Sequence, residues 1–120
     1  MRAAFAVMCL AALSAPAGAQ GAADWIEGRW SHGNGCTNWV QFTRNGSTWS
    51  YTEQRLNNGR PQPASVSASA NRVTALITSR DTIYAYEATF QSRDVFQSVE
   101  RFVKGGPPNG SPLTYTYRRC

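Results

Sequence analysis

The sequence predicts an all-β domain, an antiparallel up-and-down barrel of eight strands, with a β-sandwich as the alternative. Three observations lead there. Short runs of alternating apolar and polar residues recur along the chain, and Gly, Pro, Asn and Asp punctuate them. Such alternation is the period of a half-buried strand, and short polar connections make sequence neighbours antiparallel partners. Two cysteines, Cys36 and Cys120, lie just past the first run and at the end of the last. An open sheet of eight strands would leave two unpaired edges, and closure removes them.

The chain opens "MRAAFAVMCLAALSAPAGAQ", with Arg2 before an apolar run from Ala3 to Leu13 and a small-residue segment ending at Ala19. This is the three-part pattern of a secretory leader. The expected organisation is a leader over residues 1–19 and a single domain over residues 20–120. The apolar run is shorter than the roughly 20 residues that span a bilayer, so no stable membrane insertion is expected after processing. Cys9 follows the bulky Met8, which argues against lipid attachment there. Periplasmic or secreted placement follows. In an oxidising compartment the two remaining cysteines read as one disulfide, Cys36–Cys120, or otherwise as two free thiols. Closing so long a loop would stabilise the fold by up to about 4.5 kcal/mol.

Gly28–Trp30 belongs to a first strand expected over residues 25–30. "NWVQFT" and "STWSYTEQ" flank Asn45-Gly46, a hairpin signal of type I′ because both residues tolerate positive φ. "NNGRPQP" (57–63) reads as a loop, since two prolines do not suit a central strand. "ASVSASA" (64–70) is an edge strand or a loop. "RVTALITS" and "DTIYAYEATF" are strands, the second placing Tyr84, Tyr86, Ala88 and Phe90 on one face. Residues 94–104 fit a helical spacing too, but β-branched and aromatic residues favour a strand. "GGPPNGSP" (105–112) breaks the chain, and "LTYTYRRC" closes it with Tyr115 and Tyr117 alternating. No run makes a convincing long helix.

Without the leader, eleven basic and seven acidic side chains remain, a net charge of +4. The basic residues are scattered, with no Lys/Arg block, so nucleic acid is not an expected partner. The one histidine, His32, sits in a Gly-rich turn with no metal-ligand spacing around it, and neither metal nor cofactor is implied. His32 with Asp24, Asp81 or Asp94 and any of several serines makes a triad only on paper, because no GxSxG elbow is present. Glu87 and Glu100 lie in adjacent strands; pointing inward, either would need a partner such as Arg101 or Arg118. No constellation supports an enzyme.

The aromatic residues are numerous for this length. Trp49, Tyr51, Tyr84, Tyr86, Tyr115 and Tyr117 are the candidate ligand-binding set, because tyrosine hydroxyls can orient a ligand inside an apolar barrel. A filled core without a cavity is the other outcome of the same alternation. The loops carry a second set of candidates, Arg55, Arg60 and Lys104, for contact with a protein partner.

"GRW" at Gly28–Trp30 and "RR" at Arg118–Arg119 resemble the calycin group of lipocalins, avidins and related small barrels. The resemblance implies that Trp30 plugs one barrel end and that Arg118 or Arg119 covers its ring in a cation–π contact. "GRWSHGNGC" followed by "STWSYTEQ" is similar in layout to the first avidin strands. His32 and approximately Cys36 stand where avidins place biotin-binding Asn and Ser, and no Trp follows Trp49, so biotin is not the expected ligand. Size, export and a disulfide are shared with small periplasmic barrels that inhibit lysozymes or proteases. Two functions follow as expectations: holding a small apolar or aromatic molecule, or binding an envelope protein such as a hydrolase through the loops. Oligomeric state is left open.

Overall fold

The computed structural model describes residues 16–107 and 110–120. Most of the expected leader, with Cys9, and residues 108–109 of the 105–112 loop lie outside them. Helix α1 (Pro16–Ile26) precedes β1 (Gly28–Ser31), β2 (Val40–Asn45), β3 (Thr48–Glu53), β4 (Gln62–Ser69), β5 (Arg72–Ser79), β6 (Thr82–Ser92), β7 (Val95–Lys104) and β8 (Leu113–Arg119). Each strand pairs with the next, and β8 returns to β1, closing the barrel with every pair antiparallel. The sandwich alternative is thereby excluded. Residues 94–104 form a strand, as β-branched and aromatic content predicts.

Alternation sets the interior. Val73, Ala75 and Ile77 of β5 are buried while their neighbours face out, and Ala88 and Phe90 of β6 follow the same parity. At one end Phe96 packs edge-on against Trp30 and Phe90, which are tilted to each other, with Trp30 and Phe96 centroids 4.8 Å apart and Phe96 stacked on Tyr117 at 4.9 Å. This half of the barrel is a filled core.

The helix corrects two sequence expectations. Trp25 belongs to α1 and not to the first strand, and a run of mostly small residues does form a helix. Ala22 and Ile26 are fully buried, and Trp25 meets Phe90 edge-on at 5.7 Å. α1 contacts β4 and β5. That explains "ASVSASA": β4 is a central strand, neither an edge nor a loop, and its inward Ala64, Val66 and Ala68 are small beside the helix. β4 begins at Gln62, so Pro63 lies inside it, opposite Ser50. Only three residue pairs join β3 to β4, so the missing proline N–H falls in a short ladder.

The β2–β3 hairpin forms one residue later than expected. Asn45 pairs with Thr48, leaving Gly46 and Ser47 as the loop. Among the two, positive φ occurs at Gly46 alone (63°), which is the requirement of a II′ turn and not of I′.

The disulfide joins Cys36 to Cys120 with their Cα atoms 5.6 Å apart. It lies beside the closing seam, where Cys120 N donates to Arg29 O at 2.9 Å. Such a bond is the mark of an oxidising compartment.

Candidate functional site

Trp30 and Arg119 face each other across the β1–β8 seam, and the register explains why Arg119, not Arg118, covers the ring. Trp30 is opposite Arg119, so their side chains share a face, whereas Arg118 is opposite Ser31 and exposed. The Arg119 guanidinium carbon lies 4.3 Å from the Trp30 ring centroid. Its nitrogens donate to Asp94 Oδ1 and to the carbonyls of Trp25, Glu27 and Arg93. Trp30 Nε1 donates to Ile26 O at 2.9 Å, so its buried N–H is satisfied. Gly28 is required here: its φ is 127°, and a Cβ would sit 2.9 Å from an Arg119 nitrogen. This end of the barrel is shut.

The other end is a cup of about 620 Å³. Five of the six predicted aromatic residues line it: Tyr51, Tyr84, Tyr86, Tyr115 and Tyr117. Trp49 does not. It shares the inward face of Tyr51 but lies toward the shut end, paired with Ala64 and covered by Arg44, whose guanidinium carbon is 4.6 Å from the ring. The barrel is therefore both filled and hollow, each in one half.

The polar chemistry of the cup centres on Glu100. It is 3% exposed and points inward from β7. Among the described residues no arginine answers it. Ser98 Oγ donates to its Oε2 at 2.5 Å, Tyr117 OH to the same oxygen at 2.8 Å, and Tyr84 OH to Oε1 at 3.0 Å. Arg101, a partner expected from sequence, instead binds Glu87 on the outer face at 2.6 Å, and Arg118 is exposed. The physical reason is parity: Glu87 and Arg101 point away from the interior that Glu100 faces.

A second chain of hydroxyls ends on Glu53. Tyr51 OH donates to Glu53 Oε2 at 2.9 Å. Its proton is thereby committed, so the hydrogen bond between Tyr51 and Tyr86 must be donated by Tyr86. Burial pushes the Glu100 carboxyl above its usual value; the bonds from Ser98, Tyr117 and Tyr84 pull it back, and Glu53 pushes it further up. Burial likewise drives the phenols of Tyr51, Tyr84, Tyr86 and Tyr117 well above the ordinary tyrosine value.

No protein-family model matches the chain, and neither does any curated protein or solved structure.

The lining of the cup goes beyond the predicted set and includes Glu53, which the sequence did not single out. Glu100 was considered only as half of a carboxylate pair. His32 was read as a turn residue without metal-ligand partners. It is exposed, but its ring stacks on Tyr115 with centroids 4.4 Å apart and lines the mouth. Trp39 also lines the mouth, beneath the Arg29 guanidinium at 3.8 Å. The alternation around Trp39 was visible in the sequence, but which end of the barrel it would reach was not.

The loop candidates surround the same opening. Arg55 lines the cup itself. Arg60 lines an adjoining groove that shares Gln62 and Ser79 with it. Lys104 borders a second groove that shares Tyr84, Glu100 and Phe102. Exposed Leu56, Phe102, Val103 and Leu113 stand among them.

Proposed function

We propose that this protein is an exported, non-enzymatic binding protein that holds one small molecule in the open half of its barrel. The single observation carrying this reading is a cup of about 620 Å³, lined by five tyrosines and a buried carboxylate, above a fully packed floor. Small-molecule sites have this size and this mixture of aromatic walls with a few placed polar groups. The Trp30–Arg119 plug and the up-and-down topology support a calycin-like relationship of lipocalin or avidin type. Export to the periplasm or the exterior is supported by the leader pattern of residues 1–19 and by the disulfide. Cleavage after Ala19 would leave a domain of residues 20–120 that keeps the buried Ala22 and Ile26 of α1.

The test is titration with N-phenyl-1-naphthylamine, a neutral aromatic dye that brightens in apolar surroundings. Saturable binding at one dye per chain is expected. No binding, together with a bare mass by native mass spectrometry of protein isolated from its own source, would overturn the reading.

A second reading, capture of an envelope protein such as a lysozyme or protease, is favoured by the rim, where Arg55, Arg60 and Lys104 stand among exposed Leu56, Val103 and Leu113. A polar rim with apolar side chains is what a protein interface requires. Replacing Arg60 and Lys104, which lie outside the cup, together by alanine should then weaken a co-isolated partner's affinity and leave dye binding intact. Unchanged capture would exclude it.

A further inference from the structure

The chemistry inside the cup says what kind of small molecule it suits. A tyrosine hydroxyl has one proton to donate and lone pairs to accept with. The protons of Tyr84, Tyr117 and Ser98 are committed to Glu100, that of Tyr51 to Glu53, and that of Tyr86 to Tyr51. The four tyrosine hydroxyls thus point their hydrogens away from any guest and leave acceptor lone pairs and ring faces toward it, Ser98 being fully buried. Neither Glu53 nor Glu100 forms an ion pair among the described residues, whose three salt bridges all lie elsewhere. The other charged or titratable side chains lining the cup are Tyr115 and the exposed Arg55 and His32.

We infer that the cup recognises a small organic amine in its protonated form, the ammonium group seated among Glu100, Glu53 and the tyrosine oxygens and the body against the rings. This rests on the ligand-binding reading above and names its ligand class. An ammonium supplies the several donors and the positive charge that Glu100, Glu53 and the phenolic oxygens can accept, and the one cationic side chain of the lining, Arg55, is exposed. Charge-assisted hydrogen bonds and the faces of electron-rich rings both favour it over a neutral group. Carboxylates in the same cup disfavour an anionic guest. Glu100 is the stronger determinant because it is desolvated, while Glu53 is partly exposed and screened.

Three probes of one shape separate the possibilities: phenethylamine, 2-phenylethanol and phenylacetate, measured by calorimetry on the whole processed protein. The amine is expected to bind at least about tenfold more tightly than the alcohol, with the acid weakest. Glu100→Gln, a neutral isostere, should cut the amine's affinity by at least about tenfold and the alcohol's by less, while unchanged near-UV circular dichroism reports a folded cup. Glu53→Gln should produce a smaller loss. Equal affinities for the amine and the alcohol in the unaltered protein would overturn the amine assignment and leave the cup standing. So would an amine preference that survives both substitutions. If none of the three probes binds and N-phenyl-1-naphthylamine is also excluded, both the amine assignment and the binding function fall.

Discussion

The guanidinium carbon of Arg119 lies over the Trp30 ring, 4.3 Å from its centroid, at the point where the last strand meets the first. The contact does two things. It covers the fully buried indole, and it ties β8 to the α1–β1 turn and the β6–β7 turn through four acceptors. A cation–π contact is worth about 0.5–2 kcal/mol and each net hydrogen bond about 1. Taken at face value these come to about 4.5–6 kcal/mol; because the Arg119 side chain is 31% exposed and water replaces part of its bonding, Arg119→Ala should destabilise the barrel by about 2–4 kcal/mol, whereas Arg118→Ala, at an exposed position, should stay within about 0.5. Urea unfolding of the two variants checks this, and equal losses would contradict it.

The seam that Arg119 crosses is the shortest ladder in the sheet. β1 and β8 share two paired positions, Trp30 with Arg119 and Ser31 with Arg118, against eight between β5 and β6. The Cys36–Cys120 bond stands beside this seam and closes a loop with a sequence separation of 84. Its removal by Cys36→Ser with Cys120→Ser should cost up to about 4.5 kcal/mol. For a domain of this size that is a large share of total stability. Thermal unfolding with and without reductant should show the loss in the unaltered protein and none in the double variant.

How far the sequence reaches can be judged at α1 and at Glu100. Strand parity is a local property, so the barrel, the shared face of Tyr84, Tyr86, Ala88 and Phe90 and the closing disulfide were legible from alternation and cysteine placement, whereas which face turns inward was not. α1 was not, because "PAGAQGAADWI" has the composition of a leader's end, and its helical state depends on burying Ala22 and Ile26 beneath strands far along the chain. Glu100 could be placed on a face but not solvated in advance. Its donors come from β6, β7 and β8, and only the register brings them together. The II′ turn at Gly46 shows the same limit on a smaller scale: a shift of one residue changes the turn type without changing the hairpin.

Glu100 gives the barrel a pH dependence of known sign. Its carboxyl titrates above the ordinary value of 4.5 in the folded state, first because it is buried. The folded state then binds the proton more tightly than the unfolded chain, so this group favours folding fully below about pH 4.5 and loses that contribution as pH rises through its folded value. Glu100→Gln keeps an acceptor for the surrounding hydroxyls and cannot ionise. The variant should match the unaltered protein in acid and exceed it in stability near neutral pH. Chemical denaturation at several pH values checks this; a variant less stable than the unaltered protein at neutral pH would show that the hydrogen bonds to the charged form outweigh burial.

Tryptophan fluorescence offers an independent test of where a guest sits. Of the protein's four tryptophans, Trp39 alone lines the cup, while Trp30 and Trp49 pack toward the shut end and Trp25 lies on α1 against Phe90. A molecule entering the cup must displace water near Trp39 and leave the environment of the other three nearly unchanged. Binding of phenethylamine should therefore change the emission of the unaltered protein, and that response should vanish in Trp39→Phe while affinity by calorimetry falls by less than about tenfold, since one ring face is exchanged for another. Trp49→Phe should keep both the response and the affinity. A response that persists without Trp39, or disappears without Trp49, would move the binding site to the other end of the barrel.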